Sequence, residues 1–152
     1  MKKFILPVIN LIALVLSAVV FGLGANTAVN FGSVAQGNWY QLVWTPYTNL
    51  EGNSVYSLIA ILGFFFFVFA AFFALVTMIP FKGRKFGVCL AGALFIAAGV
   101  MFLLTMGDVF KYYAAISEFK KTDSFTAMAV LVFVAGGLEL VGACIDFLPE
   151  KK

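Results

Sequence analysis

Four long apolar runs, at residues 4–23, 55–79, 86–106 and 124–148, decide most of what this chain can become. About twenty residues at ~1.5 Å each cover the roughly 30 Å hydrocarbon core of a bilayer, and every run reaches that length. The first is interrupted only by Pro7, Asn10, Ser17 and Gly22, and the second contains Phe64-Phe65-Phe66-Phe67 and is closed by Pro80. The third follows Lys82-Gly83-Arg84-Lys85 and ends at Gly107-Asp108. The fourth starts at the cap-like Thr122-Asp123-Ser124 and stops before Pro149. None alternates as a barrel strand would, so the expected fold is all-α: a four-transmembrane-helix bundle forming one membrane domain over residues 1–152.

Composition agrees. Hydrophobic residues make up 63% of the chain and charged residues 11%, with 19 phenylalanines. A soluble domain carries about 25% charged residues. A chain of 152 residues has too small an interior to bury this apolar excess in water, so lipid is the expected solvent. The net charge of +3 comes from residues gathered at the ends of the apolar runs, which is no footprint for nucleic acid. There is no histidine, which excludes imidazole-held metals and His-dependent triads, and no cofactor is expected. Cys89 and Cys144 lie inside apolar runs and read as free, buried thiols.

Orientation follows from the basic residues, which accumulate in short cytoplasmic loops. Lys2, Lys3, Lys82, Arg84, Lys85, Lys151 and Lys152 fall on the side of the termini, against Lys111, Lys120 and Lys121 on the other. Both termini are therefore expected in the cytoplasm, in a plasma or bacterial inner membrane. The first run resembles a secretory signal after Met1-Lys2-Lys3, but it is longer than the usual 7–15 residues and reads as a retained span.

Two outer loops remain, at residues 24–54 and 107–123. In the first, the β-compatible runs at residues 28–35 and 39–44 flank Gln36-Gly37-Asn38, which reads as the turn of a short hairpin. Trp39, Tyr40, Trp44 and Tyr47 would form a contact surface or sit at headgroup level. In the second, Val109, Tyr112, Tyr113, Ile116 and Phe119 are spaced for a short helix that lies on the membrane or continues the third span.

Chemistry at membrane depth is sparse. Glu139 lies about nine positions, or ~13 Å, from the cytoplasmic end of the fourth span, too deep to face lipid unpaired. Asn10 sits at a similar depth on the first span, and an amide–carboxyl contact between them is expected. A packing hydrogen bond is favoured over a proton or cation site on a transport path. Asp146 reads as a surface ion-pair partner, and Lys82, Arg84 and Lys85 as a turn touching anionic headgroups. The pairs Ala18/Gly22, Ala70/Ala74 and Ala93/Ala97, with Gly136-Gly137, permit close helix approach. The phenylalanines from 64 to 73 cover every face of their helix and suit lipid or a docked membrane partner.

The layout resembles the claudin-type tetraspan proteins. Tyr40-Gln41-Leu42-Val43-Trp44 is similar to the aromatic stretch of that family's first loop, and Val55-Tyr56-Ser57-Leu58 to its return into the second helix. The two loop cysteines of the family have no counterpart here. The resemblance implies a non-enzymatic protein whose outer loop engages a partner subunit or another copy of itself. A channel or transporter subunit with Glu139 lining a polar path is the alternative. An enzyme would need paired groups, and the outer acids Glu51, Asp108, Glu118 and Asp123 are scattered over two loops.

Overall fold

The computed structural model describes residues 2–31, 36–44, 47–48, 54–113, 119–121 and 123–147. Its four long helices are α1 (Lys2–Gly24), α3 (Leu58–Val76), α4 (Arg84–Tyr113) and α5 (Asp123–Phe147). All four are long and apolar enough to cross a membrane. Between them lie β1 (Thr27–Phe31), β2 (Gln36–Asn38), the short helix α2 (Trp39–Trp44), β3 (Tyr47–Thr48), β4 (Ser54–Val55) and β5 (Phe119–Lys121). The helices run up and down, with α3 on α4, α4 on α5 and α5 on α1 as the principal contacts and α1 on α3 closing the ring. One end of the bundle, where α1 begins and α5 finishes, is called the terminal end below, and the other the far end.

The buried positions recur at a regular spacing along each helix. On α1 they are Leu6, Asn10, Ala13, Ser17 and Val20, and on α3 Ala60, Gly63, Phe67, Ala70, Ala74 and Thr77. Steps of three and four residues alternate, the 3.5-residue seam that packs helices at small crossing angles. Seams on α4 (Val88, Ala91, Phe95, Ala98, Phe102, Thr105) and α5 (Phe125, Met128, Val132, Ala135, Glu139, Gly142) follow the same rule. Buried hydroxyls on these seams turn back on their own helices: Ser17 Oγ donates to Ala13 O at 2.8 Å and Thr105 Oγ1 to Met101 O at 2.7 Å.

Small residues set the distance between helices. A Cβ placed on Gly92 would lie 2.9 Å from the Leu140 side chain and 3.1 Å from its backbone nitrogen, so α4 and α5 touch almost backbone to backbone there. Gly136 meets Phe95 and Ile96 as closely, and Gly142 meets Leu6. Of the pairs singled out from sequence, Ala70 and Ala74 enter the core, whereas Ala18, Gly22 and Ala93 face outward and Gly137 has open space beside it. Cys89 and Cys144 are free but exposed on the outside of the bundle rather than buried. Lipid tails are as apolar as the core, so a thiol gains little by turning inward.

The far end differs from the expected hairpin. Gln36-Gly37-Asn38 is not a turn but strand β2, antiparallel to β1 with Thr27 opposite Asn38 and Asn30 opposite Gln36. Residues 39–44 are helix α2 rather than the second arm. The reason is local: Asn38 Oδ1 accepts from Gln41 N at 2.9 Å while Asn38 N donates to Gln41 Oε1 at 2.9 Å. This reciprocal capping box starts a helix where β propensity alone argues for a strand. Strand β5 pairs with the other edge of β1, Phe31 opposite Phe119, so the sheet order β2-β1-β5 joins the two far-end connections. The third long helix runs seven residues past Met106, through Tyr113, so Val109, Tyr112 and Tyr113 continue the third span, one of the two expected arrangements, while Ile116 lies outside the described residues.

Trp39 plugs this end. It is fully buried, with its ring 4.6 Å from Phe102, 5.5 Å from Phe64, 5.7 Å from Tyr40 and 6.0 Å from Phe67. Its indole Nε1 has no hydrogen-bond partner, so the ring contributes through area and aromatic packing alone. Trp39→Ala should lower unfolding stability in detergent by about 3–5 kcal/mol. Trp39→Phe, which keeps a ring and removes the unpaired N–H, should cost under about 1.5 kcal/mol. Equal thermal shifts for the two variants would refute the plug.

Candidate functional site

Three of the six buried polar residues among those described, Asn10, Thr77 and Glu139, lie toward the terminal end, where α3 finishes. The last four carbonyls of any helix lack partners within it, and hydrocarbon supplies none. Here Asn10, from α1, provides one: its Nδ2 donates to Ala74 O at 3.2 Å and to Thr77 Oγ1 at 2.7 Å. The Thr77 hydroxyl in turn donates toward Phe73 O at 2.8 Å and Ala74 O at 3.1 Å, while Thr77 N donates to Phe73 O. Asn10 is thus a cap delivered by a neighbouring helix. Thr77 had no role in the sequence reading, although a hydroxyl three residues before Pro80 is a recognisable helix-end signal.

Glu139 is also fully buried, on the seam of α5 between the tight glycines Gly136 and Gly142. Leu6 and Ile9 of α1 face Gly142, one turn along α5, so Asn10 and Glu139 share a depth on adjacent helices. The expected hydrogen bond between them is not formed. The Asn10 amide is spent on α3, and both Glu139 oxygens, together with Asn10 Oδ1, have no hydrogen-bond partner. The α3 carbonyls compete for the amide and win, because they are orphaned by the helix end and lie within reach. Three buried acceptors at this depth therefore lack a donor. An ionised carboxylate left there unanswered would be costly.

At the far end, the four aromatics expected to share a surface are separated by the fold. Trp39 is core. Tyr40 is half-buried, and its hydroxyl donates to Phe21 O at 2.6 Å, a carbonyl freed because Ala25 N turns to Gly22 O instead. Burial pushes the Tyr40 hydroxyl above the ordinary tyrosine range, keeping the donor in place at high pH. Trp44 is 55% exposed, edge-on to Phe64 at 5.4 Å and Phe65 at 6.4 Å. Tyr47 is in β3 opposite Val55, its side chain outside the described residues. Only Trp44 is therefore seen on a surface.

The three basic residues after α3 also have separate fates. Lys82 is exposed. Lys85 lays its ammonium 4.9 Å from the Phe147 ring and 5.6 Å from Phe86, whose rings are themselves in contact. Arg84 folds inward, and its Nε and Nη2 are buried without an acceptor. Asp146 is exposed, and no ion pair joins it to these residues among the described ones. No group of three His, Cys, Asp or Glu side chains gathers among the described residues.

If Asn10 caps α3 across the helix interface, Asn10→Leu should destabilise the protein in detergent by about 1–2 kcal/mol. In a Thr77→Val background the same change should cost measurably less, since the two side chains share one network. Strict additivity in this double-mutant cycle would exclude the shared cap. Comparison with protein-family models, with curated proteins and with solved structures finds no match to this chain.

Proposed function

We propose that this chain is a non-catalytic multi-pass membrane protein that assembles with other membrane subunits or with further copies of itself. The carrying observation is Trp44: α2 holds it against Phe64 and Phe65, yet more than half of it remains exposed. Phe65, Phe69 and Phe72 continue that exposed aromatic face down α3. A rigid aromatic edge at the end of a span costs little side-chain entropy when covered by a partner helix. The claudin-like arrangement of loops and spans supports the same reading. The excess of basic residues at the terminal end supports cytoplasmic termini, in a plasma or bacterial inner membrane.

A second reading rests on a separate observation, the three partnerless oxygens of Asn10 and Glu139 at membrane depth. In it, the chain is a small channel or transporter subunit whose Glu139 exchanges a proton or a cation along a polar path.

The first reading is tested by placing a photoreactive phenylalanine analogue at Trp44, Phe65 or Phe69 and irradiating native membranes. Adducts to a membrane protein or to a second copy are expected, and adducts to lipid alone at all three positions would defeat the assembly role. The second is tested by proton and sodium flux into proteoliposomes. A transport role predicts that Glu139→Gln, almost the same size and shape, abolishes the flux seen for the unmodified protein, and unchanged flux would eliminate it.

A further inference from the structure

Pro7 of α1, Met78 and Pro80 beyond α3, and Arg84 at the start of α4 line a cavity of about 370 Å³. It sits one turn toward the terminal end from the Asn10–Thr77 cap, since Pro7 and Met78 adjoin those residues along the chain. Among the described residues its lining is apolar except for Arg84, whose guanidinium presents only donors. Nε and Nη2 form the edge of a guanidinium that grips a planar or tetrahedral oxyanion with two parallel bonds, and here that edge meets no acceptor. The neighbouring lysines do not share the position: Lys82 is exposed and Lys85 lies over aromatic rings.

We propose that this cavity binds a phosphate oxyanion through Arg84, and that the membrane supplies it as the phosphodiester of an anionic phospholipid. The volume is far beyond the ~30 Å³ that one water occupies. Pro7, Met78 and Pro80 then line the ester-linked apolar part of the same molecule. A turn of the last side-chain bonds of Arg84 brings its Nε–Nη2 edge onto the phosphate, which gives two buried N–H groups the acceptor they lack. The proposal depends on the chain spanning a membrane and is independent of whether the Trp44 face assembles.

The test is native mass spectrometry of the protein released from mixed phosphatidylglycerol and phosphatidylcholine vesicles into mild detergent. The unmodified protein should keep one phosphatidylglycerol in preference to phosphatidylcholine. Arg84→Gln should weaken that retention about tenfold, the effect of losing a charge-assisted bidentate contact. Arg84→Lys, which keeps the charge but not the fork, should fall between them, and Lys82→Gln should retain lipid as the unmodified protein does. Displacement of the bound lipid by millimolar inorganic phosphate would keep the oxyanion site and assign its source to free anion. Equal retention by the Gln and Lys variants and the unmodified protein would overturn the site, while leaving the chain a membrane protein. Should the Gln variant not fold, the Arg84→Lys comparison still decides.

Discussion

Helix ends without water govern this fold. Inside a span every backbone group is satisfied by the helix itself, but the last turn always leaves carbonyls over, and near hydrocarbon these must be met by protein. Two of the four spans solve this with a side chain from elsewhere. Asn10 of α1 reaches the end of α3, and the Tyr40 hydroxyl of α2 reaches Phe21 O at the end of α1. One contact ties the terminal end and the other ties the far-end connection to the bundle. Each is both a hydrogen bond and a constraint on how two elements sit together.

Between those ends the interior changes character. Toward the far end it is aromatic, with Trp39, Phe67, Phe102 and Phe125 meeting edge-on or tilted across α2, α3, α4 and α5, and Phe21 of α1 touching Phe67 at 5.0 Å. Toward the terminal end it is built from Ala70, Ala74, Ala91, Gly92, Gly136, Gly142 and Ala143, which let the helices close up. Aromatic packing gains area and tolerates distance, whereas small residues gain contact only by close approach. The polar atoms of Asn10, Thr77 and Glu139 all lie in the closely packed half, where backbone carbonyls are near enough to compete for donors. That competition is why the Asn10 amide went to α3 and Glu139 was left without a partner.

The legibility of the fold in the sequence followed the strength of each local signal. The four spans were readable because twenty apolar residues admit one structure in lipid; the ends differ by three residues at α3, found over Leu58–Val76 against an expected 55–79, and by seven at the end of α4. The far-end loop was misread because Trp39–Trp44 has strand-like composition, while the signal that decides it is the pair Asn38 and Gln41, three residues apart and matched to a helix start. Asn10 and Glu139 stood out as polar residues at depth, and burial of both followed from the cost of facing lipid. Thr77, the true partner of Asn10, did not stand out, since a threonine near a helix end is unremarkable until another helix delivers a donor to it.

The sequence by itself determined the number of long apolar helices and the stretch of chain that each occupies, because hydrophobic length is a property of one chain segment at a time. Only the tertiary structure decided which groups meet: that Trp39 is a plug and Trp44 a surface, that Arg84 lines a cavity while Lys85 lies on rings, and that Asn10 bonds α3 rather than α5. Those choices turn on differences of a few ångströms between helices. Such distances are set by the glycines and alanines of both partners together, so no single segment encodes them.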